Sequence, residues 1–297
     1  MTSPTPSDSA ATRDQAGYRD LMLTLVSYPD RVPDQALHNA ARLAARLGGQ
    51  VTAVAPVVRV AAPRNRLADM LLNFKELVRT EEARSAENAR SLADAFEAAA
   101  QPLGVAVERR IEPVELFFEA DRLAEDARTF DLAMVPYGKT TANDRSVAEA
   151  MLFHSGRPVL LVPDANPLRD EGRLETVAVA WDGGREAARA LADATPLLAA
   201  AGRVRILVIT GEKASVKAGT AAQVIRHLAR HGVAAEVDEV DAGGEPIGQV
   251  LSAYLAERKI GLLVMGAYGR SKAREMVLGG ATRSVLQDAG IPVLMSH

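Results

Sequence analysis

Apolar runs alternate with amphipathic stretches along most of the chain. In the second half, the apolar runs predict five strands, at 176–181, 204–209, 234–240, 261–265 and 292–295. The stretches between them predict four helices, near 184–200, 216–231, 246–258 and 280–289. Short apolar strands separated by helices are typical of a parallel sheet covered on both faces, with right-handed crossovers.

The same series of patterns occurs twice. The first half ends in an apolar run at 130–138 and a proline-containing run at 156–163, and the second half ends in the same way at 260–266 and 290–295. We therefore predict an α/β protein of two tandem, doubly wound domains with five-stranded parallel sheets, related by a pseudo-twofold axis. The expected boundaries are a disordered tail at 1–17, a first domain at 18–163, a polar linker at 164–173 and a second domain at 174–297.

Each half closes with a strand that would leave an apolar edge. These strands are Val159–Val162 and Val293–Met295. Exposed strand edges are templates for pairing. We expect the two strands to pair antiparallel within one chain, which makes an intrachain pseudo-dimer. Whether two chains also form a homodimer is left open.

The first half carries one long helical stretch, Arg64 to Ala100, within which apolar side chains recur at helical spacing from Leu67 to Val78. This spacing predicts a buried stripe. Beyond Thr80 the sequence becomes charged and alanine-rich, which predicts a solvated outer face. An extended crossover helix is one interpretation, and a lid or partner-docking arm is the other.

Composition narrows the class of protein. The chain has 297 residues with 38 acidic and 35 basic side chains, and it has no cysteine. The near-neutral charge gives no indication of nucleic-acid or membrane binding, and the missing cysteines exclude disulfides and thiolate chemistry. We expect a cytoplasmic protein. His227 and His231 lie four residues apart, which is typical of a helix end more than of a metal site, so no metal is predicted.

A glycine pattern follows the fourth strand of the second half. Gly266 and Gly269 are separated by two residues, and the pair Gly279-Gly280 comes after nine more. Glycine-rich loops between a buried strand and a helix can hold phosphate with backbone N–H groups. The spacing resembles the signature of the universal stress protein family, G-x-x-G, nine residues, G-[S/T]. The chain departs from it at Gly280, where the family has Ser or Thr.

The resemblance implies an adenine-nucleotide α-hydrolase-like or flavodoxin-like fold that binds ATP or another adenine nucleotide. It implies that strand ends hold the adenine and ribose and that the glycine loop holds the phosphates. The residues that it places in this site are Asp182, Met265, Gly266, Gly269, Gly279 and Thr282. Ile209 and Gly280 occupy a strand end and the glycine pair of the same site, and the positive charges of Arg270 and Arg283 would favour phosphate.

The first half is interpreted as a degenerate copy of this site. Tyr28-Pro29-Asp30 stands where the second half has the Asp182 turn. Counted back from the shared proline, Arg145 and Ser146 replace the glycine pair, and Glu149 replaces Arg283. The run from Ser146 to Glu149 also predicts a capping box, whose carboxylate would repel phosphate.

Three functions are compatible with this sequence. We favour a non-catalytic, adenine-nucleotide-binding stress-response protein with one weak site in the second domain. The alternatives are a slow ATPase and a nucleotide-free interaction protein that docks through the 64–100 helix. Hydrolysis would require a positioned water and usually a metal-holding carboxylate near the phosphates, and Asp182 lies at the nucleoside end.

Overall fold

The computed structural model describes residues 17–60, 74–138, 144–168, 173–211, 219, 221–267 and 290–297. The elements of the first half are β1 (Asp20–Thr24), α1 (Asp34–Leu47), β2 (Gln50–Arg59), α2 (Phe74–Ala100), β3 (Val107–Glu115), α3 (Glu119–Ala127), β4 (Leu132–Tyr137), α4 (Asp144–His154) and β5 (Val159–Pro163). Those of the second half are β6 (Thr176–Ala180), α5 (Arg185–Ala200), β7 (Arg203–Thr210), α6 (Ala222–Arg230), β8 (Ala235–Asp241), α7 (Ile247–Glu257), β9 (Leu262–Gly266) and β10 (Val293–Ser296).

The strands form one continuous sheet in the order β3-β2-β1-β4-β5-β10-β9-β6-β7-β8. Neighbouring strands within each half are parallel, and β5 and β10 pair antiparallel. The α/β fold and the predicted pairing of the closing strands are therefore confirmed. The described strands of the second half lie within one residue of their predicted bounds, and the predicted helix near 280–289 lies outside the described residues.

The register of the central strand pair, β5–β10, shows the pseudo-twofold relation. Leu160 lies opposite Leu294, Val159 opposite Met295, and Leu161 opposite Val293. The pairing is thus symmetrical about Leu160 and Leu294, which occupy equivalent places in the two halves. All residues of both strands are buried. One hydrophobic core includes residues of both halves, so neither half leaves this edge open.

The outer strands of the sheet differ from the central ones. β4 is buried along its whole length, whereas most residues of β3 and β8 are exposed or partly buried, and both strands carry several charged side chains. In β8, Arg205 of the neighbouring strand donates to Asp238 at 2.8 Å and to Glu236 at 3.0 Å. Charges along an edge strand discourage pairing with another sheet. The apolar closing strands β5 and β10 therefore pair at the centre of the sheet, and the charged strands β3 and β8 form its outer edges.

Helix α2 lies within the predicted helical segment 64–100, but its buried face is not the predicted one. Leu77, from the expected stripe, is 56% exposed. Burial falls instead on Ala89, Leu92 and Phe96, in the part predicted to be a solvated face. The reason is that the helix packs on β2 and α1 as the crossover to β3, and the apolar residues of its C-terminal part belong to the core. Val78 is partly buried, and the stripe residues before Lys75 lie outside the residues whose side chains the structure describes.

This location of the stripe is testable by substitution. Phe96 is fully buried, so Phe96→Ala should lower the free energy of unfolding by about 3–5 kcal/mol. The matched control in the same helix is Leu77→Ala, which should change it by less than about 0.5 kcal/mol. Urea unfolding of both variants measures this. Equal losses in the two variants would show that Leu77 contributes as much to stability as Phe96, and they would contradict this assignment.

One buried carboxyl lies outside any predicted site. Glu119 opens α3 and is only 7% exposed, while Phe117 and Phe118 just before it are 90% and 58% exposed. Its Oε1 is buried and has no hydrogen-bond partner among the described residues. Burial disfavours the charged form and raises the pKa of Glu119 to about 7.

The raised pKa of Glu119 predicts a pH-dependent stability. The folded protein keeps this proton up to about pH 7, whereas the unfolded chain releases it near pH 4.5. The stability linked to the proton is therefore present below pH 4.5 and is lost as the pH rises to about 7, by about 3 kcal/mol. Glu119→Gln should remove this decline and be more stable than the wild type at pH 8. Asp121→Asn, an exposed carboxylate of the same helix, should not. A wild-type decline that persists in Glu119→Gln, measured by denaturant unfolding from pH 5 to 8, would contradict this assignment.

Candidate functional site

In the second half, the chain turns one way from β6 to β7 and the other way from β9 to β10, which makes the gap between β6 and β9 the topological switch point. We call the edge at which the strands of a half end its carboxyl edge. Ligands of open α/β sheets bind there, at the switch point. Four predicted site residues lie at this edge, on three adjacent strands or directly after them: Asp182, Ile209, Met265 and Gly266. Six lie outside the described residues: Gly269, Arg270, Gly279, Gly280, Thr282 and Arg283.

The turn from β6 into α5 is built by Asp182 itself. Its Oδ1 accepts a hydrogen bond from the Gly184 N–H at 2.8 Å. Gly183 has a φ of +73°, in the left-handed region that favours glycine, and Gly184 occupies the N-cap position of α5. The predicted Asp182-Gly183-Gly184 element is therefore a turn that sets a carboxylate at the end of β6 and the start of a helix beside it.

Gly266 permits close contact between β9 and α5. A Cβ at this position would lie 2.6 Å from the Ala187 nitrogen and 2.9 Å from the Glu186 Cβ. Helix packing alone thus requires glycine here, whether or not a ligand also approaches its backbone. Met265, one residue earlier, is buried. The contact brings the N-terminus of α5, with its partial positive charge, to the switch point.

Three buried polar atoms at this carboxyl edge have no hydrogen-bond partner among the described residues. They are Trp181 Nε1, Glu186 Oε2 and Ser296 Oγ. The other Glu186 oxygen accepts from Arg185 Nε at 2.6 Å. Sequence reasoning missed Glu186 and Ser296. A carboxylate in the first turn of a helix is too common to stand out, and a serine that ends a closing strand has no motif.

The sheet register corrects the comparison between the halves. The Leu25 N–H donates to the Val54 carbonyl at 2.9 Å, as that of Trp181 does to Leu207 at 2.8 Å. Leu25 is therefore the counterpart of Trp181, and the next residue, Val26, is the counterpart of Asp182. The expected replacement by Tyr28-Pro29-Asp30 was two residues out of register, because the repeat is too weak to align these loops. The first half thus has a buried apolar side chain where the second has a carboxylate.

The same register equates Pro56 with Ile209 and Pro136 with Gly266. In the first half, the Pro56 carbonyl accepts a hydrogen bond from Ser27 Oγ at 2.6 Å. Ser27 Oγ also lies 2.8 Å from Ser85 Oγ of α2, and Ser85 Oγ accepts from the Val58 N–H at 2.9 Å. Both serines are fully buried. Polar groups at the ends of β1 and β2 are therefore satisfied from within the chain.

Helix α2 holds this edge at further points. Asn88 Nδ2 donates to the Ser27 carbonyl at 3.0 Å, and Glu82 Oε1 accepts from the Val60 N–H at 2.9 Å. This backbone hydrogen bond keeps the pKa of Glu82 below its usual range. Arg84 lies over the Tyr28 ring at 5.4 Å. The polar face of α2 therefore covers the first half's carboxyl edge.

The predicted capping box of the first half is wrong. Helix α4 begins at Asp144, two residues before Ser146, so Ser146 lies inside the helix. Glu149 forms an ion pair with Arg145 at 2.8 Å, one turn earlier. An i, i+4 partner competes with the cap for the same carboxylate. The charge that was expected to repel phosphate is thus partly balanced by a neighbour.

Other candidate chemistry is sparse in the part of the chain that the structure describes. There, no three His, Asp or Glu side chains are grouped as a metal site would require. The rings of His227 and His231 pack on one another at the end of α6, with centroids 4.7 Å apart. None of the described helices has the length and hydropathy to cross a bilayer.

Comparison with known proteins fits this geometry. Residues 174–297 match the universal stress protein family. A universal stress protein from Archaeoglobus fulgidus DSM 4304 is 15% identical with a TM-score of 0.66, and the match covers 93% of this chain and 97% of that one. A functionally unknown protein from Pseudomonas aeruginosa PAO1 is also 15% identical, with a TM-score of 0.54 over 95% and 93% of the two chains.

A universal stress protein in complex with cAMP matches 50% of this chain and 100% of its own at 19% identity, with a TM-score of 0.34. Among curated proteins, no sequence matches the chain significantly. The two longer matches extend over both halves, so they show the fold of the tandem arrangement as a whole. Residues 174–297 belong to the universal stress protein family, and the first half joins them in one sheet of the same fold.

Proposed function

We propose that the protein binds one adenine nucleotide per chain, at the carboxyl edge of the second half, and does not turn it over. One observation carries this proposal, namely that the two carboxyl edges are built differently. In the first half, Ser85 and its neighbours on α2 cover the strand ends. In the second half, Asp182 and the start of α5 lie at the switch point, within the part of the chain that matches the family.

The remaining parts of the proposed site rest on the sequence. Gly269 and the pair Gly279-Gly280 supply the phosphate-binding spacing, and Arg270 and Arg283 supply positive charge. The hydroxyl missing at Gly280 removes a hydrogen bond to a charged group, which is worth about 1.5–3 kcal/mol. That loss corresponds to roughly a ten- to hundredfold weaker affinity. The nucleotide should therefore bind weakly, through backbone donors and the arginines.

A binding role agrees with the chemistry of the described residues. Asp182 is the carboxylate among the predicted site residues, and its Oδ1 is already engaged by Gly184. Phosphoryl transfer needs groups that position water and metal at the phosphates, and Asp182 stands at the nucleoside end instead. We assign the protein to nucleotide-dependent stress signalling in the cytoplasm.

A second candidate function is a nucleotide-free interaction protein. Exposed aromatic side chains at Phe117 and Phe118, together with Leu77 on α2, favour it, since large apolar groups on a surface often mark contacts with partners. This alternative predicts no response to nucleotide. A slow ATPase would instead show phosphate release that disappears when the glycine loop is altered.

A titration of ATP tests the proposed site. Trp181 is the only tryptophan and directly precedes Asp182, so its fluorescence should change on binding. Calorimetry should give one site per chain. Gly269→Glu should abolish both signals, because a carboxylate side chain would block the loop and repel phosphate. Asp30→Ala, an exposed change in the first half, should leave them intact.

Two equivalent sites per chain would overturn the proposed asymmetry. No binding at millimolar ATP would favour the interaction protein. Binding that survives Gly269→Glu but is lost in a first-half variant would show that the site lies in the first half.

A separate stability measurement tests whether α2 covers the strand ends of the first half through Ser85. Ser85→Ala should lower the free energy of unfolding by about 1–3 kcal/mol, because the Val58 N–H would be left buried without its acceptor. Thr80→Ala on the exposed face of the same helix should change it by less than about 0.5 kcal/mol. Denaturant unfolding measures both. A Ser85→Ala variant as stable as the wild type would show that the serine network does not hold α2 to the sheet.

A further inference from the structure

The end of β9 is held from both sides by the end of β10. The Ala267 N–H donates to the Ser296 carbonyl at 2.8 Å, and the Ala267 carbonyl lies 3.1 Å from His297 Nδ1. Ala267 is fully buried and directly follows Gly266. The N–H and the carbonyl of Ala267 are thus both held by residues at the end of the chain's last strand. A carbonyl can only accept, so Nδ1 of His297 carries the proton.

His297 also contacts the first half. Its ring meets Phe153 of α4 edge to face, with centroids 5.0 Å apart and planes at 76°. Aromatic pairs favour this arrangement. Because β5 and β10 pair antiparallel, α4 comes next to the carboxyl edge of the second half. Phe153 of the first half therefore packs against the imidazole that holds Ala267.

Glu186, in the first turn of α5, interacts electrostatically with His297. Burial would raise the pKa of this carboxyl, but the hydrogen bond from Arg185 and the charges of Arg185 and His297 bring the pKa below its usual range. Glu186 also packs against Gly266. His297 thus contacts the end of β9 and the first half of the chain, and it interacts electrostatically with the first turn of α5.

Among the described residues, the first half has a different arrangement at this place. The register of the central strand pair makes Val162 the counterpart of Ser296, so Pro163 is the counterpart of His297. Proline has no side-chain donor, and no carbonyl can be held in this way. The imidazole contact is therefore not a requirement of the fold, because in the first half Asp164, which follows Pro163, packs against Gly138 instead.

We infer that His297 is a positioning residue for the nucleotide site, and that Phe153 of the first half supports that site through it. The inference rests on the proposed function. The imidazole fixes the Gly266-Ala267 backbone, from which the glycine loop continues in sequence. The first half, whose own carboxyl edge is covered by α2, thereby contributes to binding in the second half.

The test compares ATP affinities of full-length variants by calorimetry. His297→Ala removes both the donor and the ring, and it should weaken ATP binding by about five- to tenfold. His297→Asn places an amide donor near the position of Nδ1, so it should recover most of the affinity. Phe153→Leu keeps apolar volume but loses the ring edge, and it should weaken binding by about two- to threefold. Phe118→Ala, an exposed aromatic of the first half, is the matched control and should bind as the wild type does.

Thermal unfolding of the same variants separates positioning from stability. A purely structural role would lower the melting temperature of His297→Ala and His297→Asn alike and leave ATP affinity equal in the folded variants. Wild-type affinity in His297→Ala would overturn this inference and leave the proposed function standing. A wild type that does not bind ATP would overturn both. If His297→Ala fails to fold, then His297→Asn and Phe153→Leu decide, and wild-type affinity in Phe153→Leu refutes the contribution of the first half.

Discussion

The antiparallel pairing of β5 and β10 is the interaction on which the rest of the structure depends. Each of these strands is buried and would otherwise present an apolar edge to solvent. Their pairing about Leu160 and Leu294 joins the two halves into one sheet with charged strands at its outer ends. It also places helix α4 of the first half beside the carboxyl edge of the second, so the halves are coupled at the candidate site rather than merely linked.

The two copies of the repeated unit differ in how they satisfy the polar groups at their strand ends. The first copy uses Ser27, Ser85 and Asn88 to satisfy its strand ends from a long crossover helix. The second keeps a carboxylate at Asp182 and a glycine at Gly266 that lets a helix N-terminus approach. Hydrogen bonds that the chain makes to itself and hydrogen bonds to a ligand compete for the same polar groups. A half that satisfies these groups internally gains stability and loses a binding site.

Much of the fold could be predicted from the sequence, because apolar runs of strand length and the twofold repeat are strong patterns. The candidate site was predictable only where a motif existed. Asp182 and Gly266 follow strands that are easy to recognise, whereas Glu186, Ser296 and His297 converge through the register of three strands, which no local pattern records. The same limit explains why Tyr28-Pro29-Asp30 was aligned with the Asp182 turn two residues out of register. The buried face of α2 was misplaced since alanine-rich helices show weak amphipathic contrast although alanines such as Ala89 pack closely.

Amide hydrogen exchange with and without ATP tests the central claim that only the second carboxyl edge receives a ligand. We expect ATP to slow exchange in peptides that contain Asp182, Ile209 and Ala267. We also expect Val58 and Val60, whose N–H groups are held by Ser85 and Glu82, to exchange slowly without ATP and to remain unchanged when it is added. Slowing at Val58 and Val60, with none at the second-half strand ends, would show that the ligand binds at the first carboxyl edge instead.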